Sequence, residues 1–286
     1  MLNEAVVALL EKNVKAFARS EVDSSLSSRL VDILDRKNLV LCYDPSSEVF
    51  AEFASWPLIT LGYYVTVVNA HTAQYYLAPY TPPETGYIYF IDDPYRTLSA
   101  QLITTIKIMQ YPSLLMSVNQ TKESDILTFS KEGEDRIMTG VKGVNVLFYN
   151  ALYKKSSNQR IKRVLGTLLL DEKIIFDYLM NSLKTSQPVK TSKIAAQGPL
   201  LSAAKVANLI DASTQCMSTL SLFNSELTSP IELWSSDVDA EVVARLRFEK
   251  KNSSYLQVVH FGFDPLSAPI LTPYSATLAG LGHNTN

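Results

Sequence analysis

A short turn within residues 86–101 carries side chains that are well suited to contact a ligand. The segment starts as an apolar, β-rich run, passes through "DDPYRT" and continues into a helix-forming stretch. Ligands of open α/β sheets bind where a strand gives way to a helix in this manner. Arg96, Thr97 and Ser99 are the charged and hydroxyl side chains of the helix start. The turn itself is unusual, because it has no glycine and carries two adjacent aspartates.

Two further groups of side chains are candidates for binding or proton transfer. Ser46 and Ser47 follow the apolar run "NLVLCY" and begin another helix-forming stretch. Glu226 and Glu232 are candidate acids; on an extended strand residues with this spacing would share one face, although acids at strand ends are more often solvated. His260 follows an apolar, strand-like run. It either faces a ligand crevice or makes a structural hydrogen bond.

Patterns for other kinds of chemistry are missing from the sequence. The 3 histidines are isolated, and no CxxC or HExxH spacing occurs, so no metal site is predicted. The sequence also contains no Walker phosphate loop, no GxGxxG and no GxSxG motif. We therefore expect neither a metal nor a cofactor.

Strands and helices alternate along the chain in an order that would position these candidate residues. Apolar, β-rich runs typical of strands buried on both faces alternate with helical patterns of about 10–15 residues. This alternation predicts βαβ units and parallel sheets, hence an α/β protein. A long helix is predicted over 160–184, followed by a polar linker at 184–192. A second cycle then has a helix over 199–217 and strands at "KIAAQG", "SPIELWSSD" and "SYLQVVHFG".

The composition is that of a globular protein. Hydrophobic residues make up 47% of the 286 residues and charged residues 19%, which is sufficient to bury a core. The net charge of -2 gives no reason to expect nucleic acid or an anionic membrane as a partner. The amino-terminal helical pattern contains acids, unlike a signal peptide, and no apolar run reaches the length of a membrane span. We expect a soluble, cytoplasmic protein.

The order of these motifs resembles the tandem form of the sugar isomerase (SIS) domain family. The first strand of that family ends in a turn like G-x-G-[ST]-S, and "YDPSS" places Ser46 and Ser47 at the hydroxyl positions without the glycines. The third strand of the family ends in I-S-x-S-G-E-T. The corresponding "IDDPYRT" matches it at Ile91 and Thr97, and "SVN", ending at Asn119, matches the I-T-N that usually ends the next strand.

The second cycle resembles the second SIS domain more weakly. The segment E-x-x-H-G-P-I of the family corresponds to "SELTSPI", which keeps Pro230 and Ile231. Ser225 and Thr228 stand where the family has its glutamate and histidine, and neither is a competent base near neutral pH. Glu226 is one position away from the glutamate position. The segment "GLGHNTN" resembles the end of the closing helix of the family, without the tail that follows it there.

The resemblance implies a fold, a division of the chain and an assembly. It implies two flavodoxin-like, three-layer αβα units with parallel sheets, the SIS-type fold. Residues 1–160 would hold two amino-terminal helices and the first unit, 161–188 a connecting helix and linker, and 189–286 the second, shorter unit. Because the sites of tandem SIS enzymes lie at a subunit interface, the resemblance also implies a homodimer.

The resemblance further implies that the ligand is a small sugar phosphate. The residues that would bind it are Ser46, Ser47, Arg96, Thr97, Ser99, Ser225 and Thr228. A phosphate needs backbone N–H groups at a helix N-terminus and nearby hydroxyls. Asp92 and Asp93 would repel it, although Arg96 could offset one of these charges. The alternative interpretation of "DDPYRT" is a plain helix start, with aspartate as N-cap and proline at the first helical position.

Two functions from different classes fit the sequence. The first is a phosphosugar isomerase or an aminosugar-phosphate isomerase or deaminase-like enzyme, with Glu226 and His260 as candidate catalytic residues. The second is a non-catalytic, carbohydrate-derivative-binding or regulatory module of the same fold. The tyrosine- and proline-rich segment 70–90 has two interpretations as well: it lines a sugar site, or it is a packing loop or dimer contact. The sequence predicts an SIS-type phosphosugar-binding protein, with aldose–ketose isomerisation as its activity if it is an enzyme.

Overall fold

The chain divides into two compact units. The computed structural model describes residues 4–19, 27–119, 121, 123, 125–128, 135–168, 172–183, 193–250 and 253–283. The first unit comprises residues 20–169, and the second unit comprises residues 1–19 together with 170–286. Each unit is built on its own parallel sheet. The predicted α/β class, with two units on parallel sheets, is confirmed.

The elements alternate as the sequence pattern predicts. The strands are β1 (Asn38–Tyr43), β2 (Tyr64–Asn69), β3 (Gly86–Ile91), β4 (Ser113–Ser117), β5 (Ile126–Thr128), β6 (Lys193–Ala196), β7 (Gln215–Ser218), β8 (Ile231–Ser236) and β9 (Leu256–Phe261). The helices are α1 (Glu4–Arg19), α2 (Ser27–Ile33), α3 (Glu48–Thr60), α4 (Ala70–Thr72), α5 (Thr97–Ile108), α6 (Arg136–Lys155), α7 (Gln159–Leu168), α8 (Glu172–Leu183), α9 (Gly198–Ile210), α10 (Ala240–Glu249) and α11 (Thr272–His283).

The sheet of the first unit has the strand order β2-β1-β3-β4-β5. Its central strand β3 is buried along its whole length, which explains the uninterrupted apolar run in the sequence. On one face Phe90 stacks on Phe148 of α6, with ring centroids 6.4 Å apart. On the other face Tyr89 packs in a cluster with Leu102 and Ile106 of α5. Helices therefore cover both faces, as the predicted three-layer unit requires.

The sheet of the second unit has the strand order β7-β6-β8-β9. Leu233 of β8 packs in a cluster with Val243 and Leu246 of α10. Trp234, the next residue of β8, points to the opposite face, where its ring lies 5.5 Å from that of Tyr274 in α11. Successive residues of β8 thus enter different layers of the core, as the two-residue period of a strand dictates.

The first helix belongs to the second unit, whereas the sequence analysis placed residues 1–160 in the first. Helix α1 packs against α8 and α11, and the Asn13 side chain donates a hydrogen bond to the Thr277 hydroxyl at 3.0 Å. The apolar stripe of α1 predicts a helix with one buried face. The stripe does not predict which elements this face will pack against.

Two stretches of predicted helix are divided differently in the structure. The helix predicted over 199–217 ends at Ile210, and the end of that stretch is strand β7. The long helix predicted over 160–184 corresponds to α7 in the first unit and α8 in the second. The predicted linker at 184–192 lies outside the described residues.

Candidate functional site

The first unit offers one position at which its topology favours a ligand. β1 and β3 are neighbours in the sheet, but the chain continues from β1 to one side and from β3 to the other. A crevice forms at such a switch point, outside the carboxyl ends of the strands. The two turns that the sequence analysis singled out, at 44–47 and 92–96, follow these two strands. The structure therefore brings the two turns together.

The turn after β1 contains a buried carboxylate, Asp44, which is 1% exposed. The Tyr89 hydroxyl donates to Asp44 Oδ1 at 2.6 Å, and the backbone N–H of Asp92 donates to Oδ2 at 2.9 Å. The Ser99 hydroxyl lies 3.0 Å from Oδ2 and 3.2 Å from Oδ1. Burial raises the pKa of Tyr89, and the neighbouring carboxylate raises it further. Asp44 thus connects β1, β3 and the first turn of α5.

The turn after β3 directs a second carboxylate, Asp92, across the switch point. Its Oδ2 accepts the backbone N–H of Ser46 at 3.0 Å, and its Oδ1 accepts the Ser47 hydroxyl. Ser47 is the N-cap residue of α3, but its own side chain does not cap that helix. Asn119, after β4, donates its side-chain amide to the Asp92 carbonyl at 2.6 Å. Asp92 is 8% exposed and is held from several directions.

Arg136 brings the positive charge of this site. Its Nη2 lies 3.0 Å from Asp92 Oδ1 and 2.9 Å from Ser46 Oγ. Arg136 is the first residue of α6, whose N-cap Asp135 accepts the N–H groups of Ile137 and Met138. The sequence analysis missed Arg136, although its place at the start of the helix after the last strand of the sheet is a usable signal.

The predicted ligand residues of the β3 turn separate into two groups. Ser99 is fully buried and bound to Asp44, whereas Arg96 and Thr97 are exposed. The interpretation of "DDPYRT" as an aspartate N-cap followed by proline is wrong, because α5 begins at Thr97 with Arg96 as its N-cap residue. Asp93 instead accepts the backbone N–H of Tyr95 within the turn, at 2.9 Å.

The candidate binding and catalytic residues of the second unit do not lie together in the structure. Ser225, Glu226 and Thr228 are exposed in the loop before β8. The Ser225 carbonyl accepts Lys250 Nζ at 2.7 Å, and Lys250 follows α10 on the way into β9, so this loop lies where the parallel strands begin. His260 is near the end of β9. Glu226 and His260 therefore lie at opposite edges of the sheet.

His260 makes local contacts at the carboxyl edge of the second sheet. Its Nε2 lies 3.0 Å from Asp237 Oδ1, and its Nδ1 lies 3.4 Å from the Ser235 hydroxyl. A serine, a histidine and an aspartate in one line suggest nucleophilic catalysis, but Ser235 is only 2% exposed and cannot meet a substrate. The described contacts correspond to the structural alternative for His260.

Glu232 is enclosed in the second unit rather than placed at a strand end. It is the second residue of β8 and is 1% exposed. Tyr274 donates its hydroxyl to Oε1 at 2.7 Å, and Trp234 donates its Nε1–H to Oε2 at 3.2 Å. Burial raises the pKa of Glu232 to about 7, although both hydrogen bonds oppose this shift. Glu226 precedes the strand, so the two acids do not form the predicted pair on one strand face.

The segment 70–90 is more regular than the predicted loop. Helix α4 continues into a π-helical turn at Ala73–Leu77, and β3 begins at Gly86. Tyr87 is buried and its hydroxyl lies 2.7 Å from Thr81 Oγ1. Three other tyrosines of this segment are exposed, namely Tyr75, Tyr76 and Tyr80. The segment thus combines internal packing with an aromatic surface.

In the part of the chain that the structure describes, no group of three or more histidine, cysteine, aspartate or glutamate side chains is placed to hold a metal ion. None of the helices in that part is long and apolar enough to cross a membrane.

The fold and the site together define a two-unit, flavodoxin-like α/β protein with a charged cluster at the switch point of its first unit. No protein-family model matches the chain, and no curated protein matches it. Solved structures do resemble it. Glucosamine-6-phosphate deaminase from Thermotoga maritima has 14% identity and a TM-score of 0.67, covering 97% of this chain and 92% of that chain.

Two further solved structures share the whole architecture. Tagatose-6-phosphate ketose/aldose isomerase from Escherichia coli has 14% identity and a TM-score of 0.62, covering 98% of this chain and 94% of that chain. The C-terminal domain of glucosamine-fructose-6-phosphate aminotransferase from Francisella tularensis has 14% identity and a TM-score of 0.61, covering 97% and 94%. The chain therefore has the SIS-type fold of phosphosugar proteins, and the resemblance predicted from sequence is confirmed at the level of the fold.

Proposed function

We propose that this chain binds an anionic carbohydrate derivative, of the sugar-phosphate class, at the switch point of its first unit. One observation carries the proposal: the Arg136 guanidinium, the Ser46 N–H and the Ser47 hydroxyl converge on one carboxylate there. A guanidinium, a backbone N–H at a helix start and a hydroxyl are the donors that phosphate oxygens accept. Two of the similar solved structures are named as a tagatose-6-phosphate isomerase and a glucosamine-6-phosphate deaminase. These names support a sugar phosphate as the class of ligand.

We do not propose that this site catalyses aldose–ketose isomerisation. Moving a proton between adjacent carbons requires a base within reach of the sugar. The carboxylates at the switch point, Asp44 and Asp92, both accept several hydrogen bonds from the protein itself. Glu226 and His260 lie at opposite edges of the second sheet, so they cannot act together on one sugar. The geometry thus favours a binding module over an isomerase.

Ligand binding can be tested by thermal denaturation with a panel of hexose and hexosamine 6-phosphates at millimolar concentration. We expect at least one of them to raise the melting temperature, since a ligand at 100 times its Kd stabilises the folded state by about 2.7 kcal/mol. The shift should disappear in Arg136→Gln and persist in the matched control Arg96→Gln, because Arg96 is exposed and outside the cluster. Equal shifts in both variants, or no shift with any sugar phosphate, would contradict the proposal.

A companion assay for aldose–ketose interconversion separates binding from catalysis. The similarity to an isomerase of known structure makes this the activity to measure. We expect no turnover with any sugar phosphate that binds. Turnover that is lost in Glu226→Gln or His260→Gln would show instead that the enzyme hypothesis holds.

We further propose that the protein is a homodimer. Several tyrosines of the first unit, including Tyr76 and Tyr80, are exposed, and tyrosine is enriched at protein interfaces. Sedimentation velocity at micromolar concentration should give the mass of two chains. Replacing Tyr76 and Tyr80 with serine should shift the species towards one chain. A monomeric wild-type protein would contradict the proposal.

A further inference from the structure

At the switch point of the first unit, a carboxylate of the protein itself occupies the position that an anionic ligand would take, which is called the anion position below. Asp92 Oδ2 lies 3.0 Å from the Ser46 backbone nitrogen, and Asp92 Oδ1 accepts the Ser47 hydroxyl and lies 3.0 Å from Arg136 Nη2. These donors come from two different elements, the start of α3 and the start of α6. They converge on the side chain of a third, the turn after β3. A carboxylate thus takes the contacts that the proposed ligand needs.

Asp92 and a phosphate cannot use these donors together. The two groups would compete for the same N–H and O–H bonds, and their like charges would repel each other at contact distance. Arg136 Nη2 already contacts both Asp92 and the Ser46 hydroxyl. A phosphate that binds the Ser46 N–H and the Ser47 hydroxyl would therefore have to take the Asp92 position beside Arg136 as well. Ligand binding and the Asp92 contact therefore exclude each other.

The Asp92 backbone is held by hydrogen bonds that are separate from those of its carboxylate. Asp44 accepts the Asp92 N–H at 2.9 Å, and Asn119 donates to the Asp92 carbonyl at 2.6 Å, so both backbone groups of this residue are bound. The Arg136 side chain is 37% exposed and has room to move towards solvent. Displacing the carboxylate therefore requires a change in the Asp92 and Arg136 side chains, and not in the backbone of the turn.

We infer that Asp92 is a built-in competitor, whose carboxylate occupies the anion position of the first-unit site and must leave it before a phosphate group can bind. The inference rests on the proposed function, and it makes Asp92 the residue that sets the affinity of the site for phosphate. In its observed position Asp92 keeps the site closed to simple anions. A ligand must contribute enough contacts elsewhere to displace it.

Asp92→Ser tests this inference, with inorganic phosphate and glucose 6-phosphate as probes and isothermal titration calorimetry as the measurement. We expect the variant to bind inorganic phosphate at least about tenfold more tightly than the wild type, which corresponds to about 1.4 kcal/mol. Asp93→Ser is the matched control, because Asp93 is the exposed neighbour and its side chain contacts the Tyr95 N–H instead. Its affinity should equal that of the wild type.

Two further variants cover the case in which Asp92→Ser does not fold and test the role of Arg136. Asp92→Asn removes the charge while keeping the shape, and it should show a gain in the same direction if Asp92→Ser does not fold. Adding Arg136→Gln to either variant should abolish the gain, because the guanidinium is the cationic partner in the cluster. Equal phosphate affinity of the wild type and both Asp92 variants would overturn the inference.

The same titrations separate the inference from the proposed function. If an Asp92 variant gains phosphate affinity but neither it nor the wild type prefers any sugar phosphate over inorganic phosphate, the inference stands and the proposed ligand class fails. If the wild type binds glucose 6-phosphate as tightly as the variants do, the proposed function stands and the competitor role fails.

Discussion

Replacing Asp44 with alanine is expected to destabilise the folded protein by about 4 kcal/mol, because buried donors lose their acceptor. The Tyr89 hydroxyl, the Ser99 hydroxyl and the Asp92 N–H all donate to this carboxylate. Asp44 is 1% exposed and Tyr89 and Ser99 are 0% exposed, so water cannot replace the lost contacts without rearrangement. Urea denaturation followed by far-UV circular dichroism measures the loss.

Asp93→Ala is the control for this prediction. It removes an aspartate that is exposed and that lies one residue beyond the buried turn, so we expect a loss below about 1 kcal/mol. Asp44→Asn keeps one acceptor oxygen and should fall between the two, at about 2 kcal/mol. An Asp44→Ala protein that unfolds at the same urea concentration as Asp93→Ala would show that the buried network adds no net stability.

The second large effect is a loss of about 3 kcal/mol of stability as the pH rises from about 4 to about 8, caused by Glu232. Burial raises the pKa of this carboxyl from 4.5 to about 7 in the folded chain, whereas the unfolded chain retains the ordinary value. Between these values the folded state binds more protons than the unfolded state, so stability falls as the pH rises. Thermal denaturation across this range measures the slope. Below and above the range Glu232 contributes no slope.

Glu232→Gln should remove this part of the pH dependence. The amide has no charge to bury, and it can accept the Trp234 N–H and donate to the Tyr274 oxygen, the two partners that Glu232 contacts. The variant should therefore be more stable than the wild type at pH 8. Glu226→Gln is the matched control, since Glu226 is exposed and its replacement should leave the slope unchanged. A slope that survives in Glu232→Gln would assign the effect to another group.

The fold could be predicted from sequence because it depends on patterns repeated over many residues. Buried strands such as β3 require uninterrupted apolar runs, and the helices between them require a helical period. The predicted and the observed elements differ where the local sequence pattern is ambiguous. Strand β7 is only four residues long, Gln215–Ser218, and it is partly polar, so its sequence continues the preceding helical pattern. Helix α1 has a clear apolar face, but no local signal shows that its partners are α8 and α11.

The meeting of the two turns could be predicted from the sequence, but the contacts of their side chains could not. The two turns at 44–47 and 92–96 were found, because the ends of alternating strands converge at a switch point. What the sequence could not show is the direction in which the side chains point. Asp93, directly before Pro94, has the pattern of a helix cap, yet the helix begins only at Thr97. The neighbouring Asp92 reaches across to Ser46, far away in sequence. Arg136 joins them from farther still, and no local pattern reports such a contact.

The membership of α1 in the second unit has a consequence for how the protein folds. Residues 1–19 and 170–286 form one compact unit, so the first unit is inserted between two parts of the second. During synthesis α1 emerges before the inserted unit, but α11, against which it packs, is made after the whole inserted unit. The apolar face of α1 therefore has no α11 to pack against at the stage when residues 20–169 can already form their own sheet. This order makes the second unit the late-folding part of the chain, with contacts of high sequence separation.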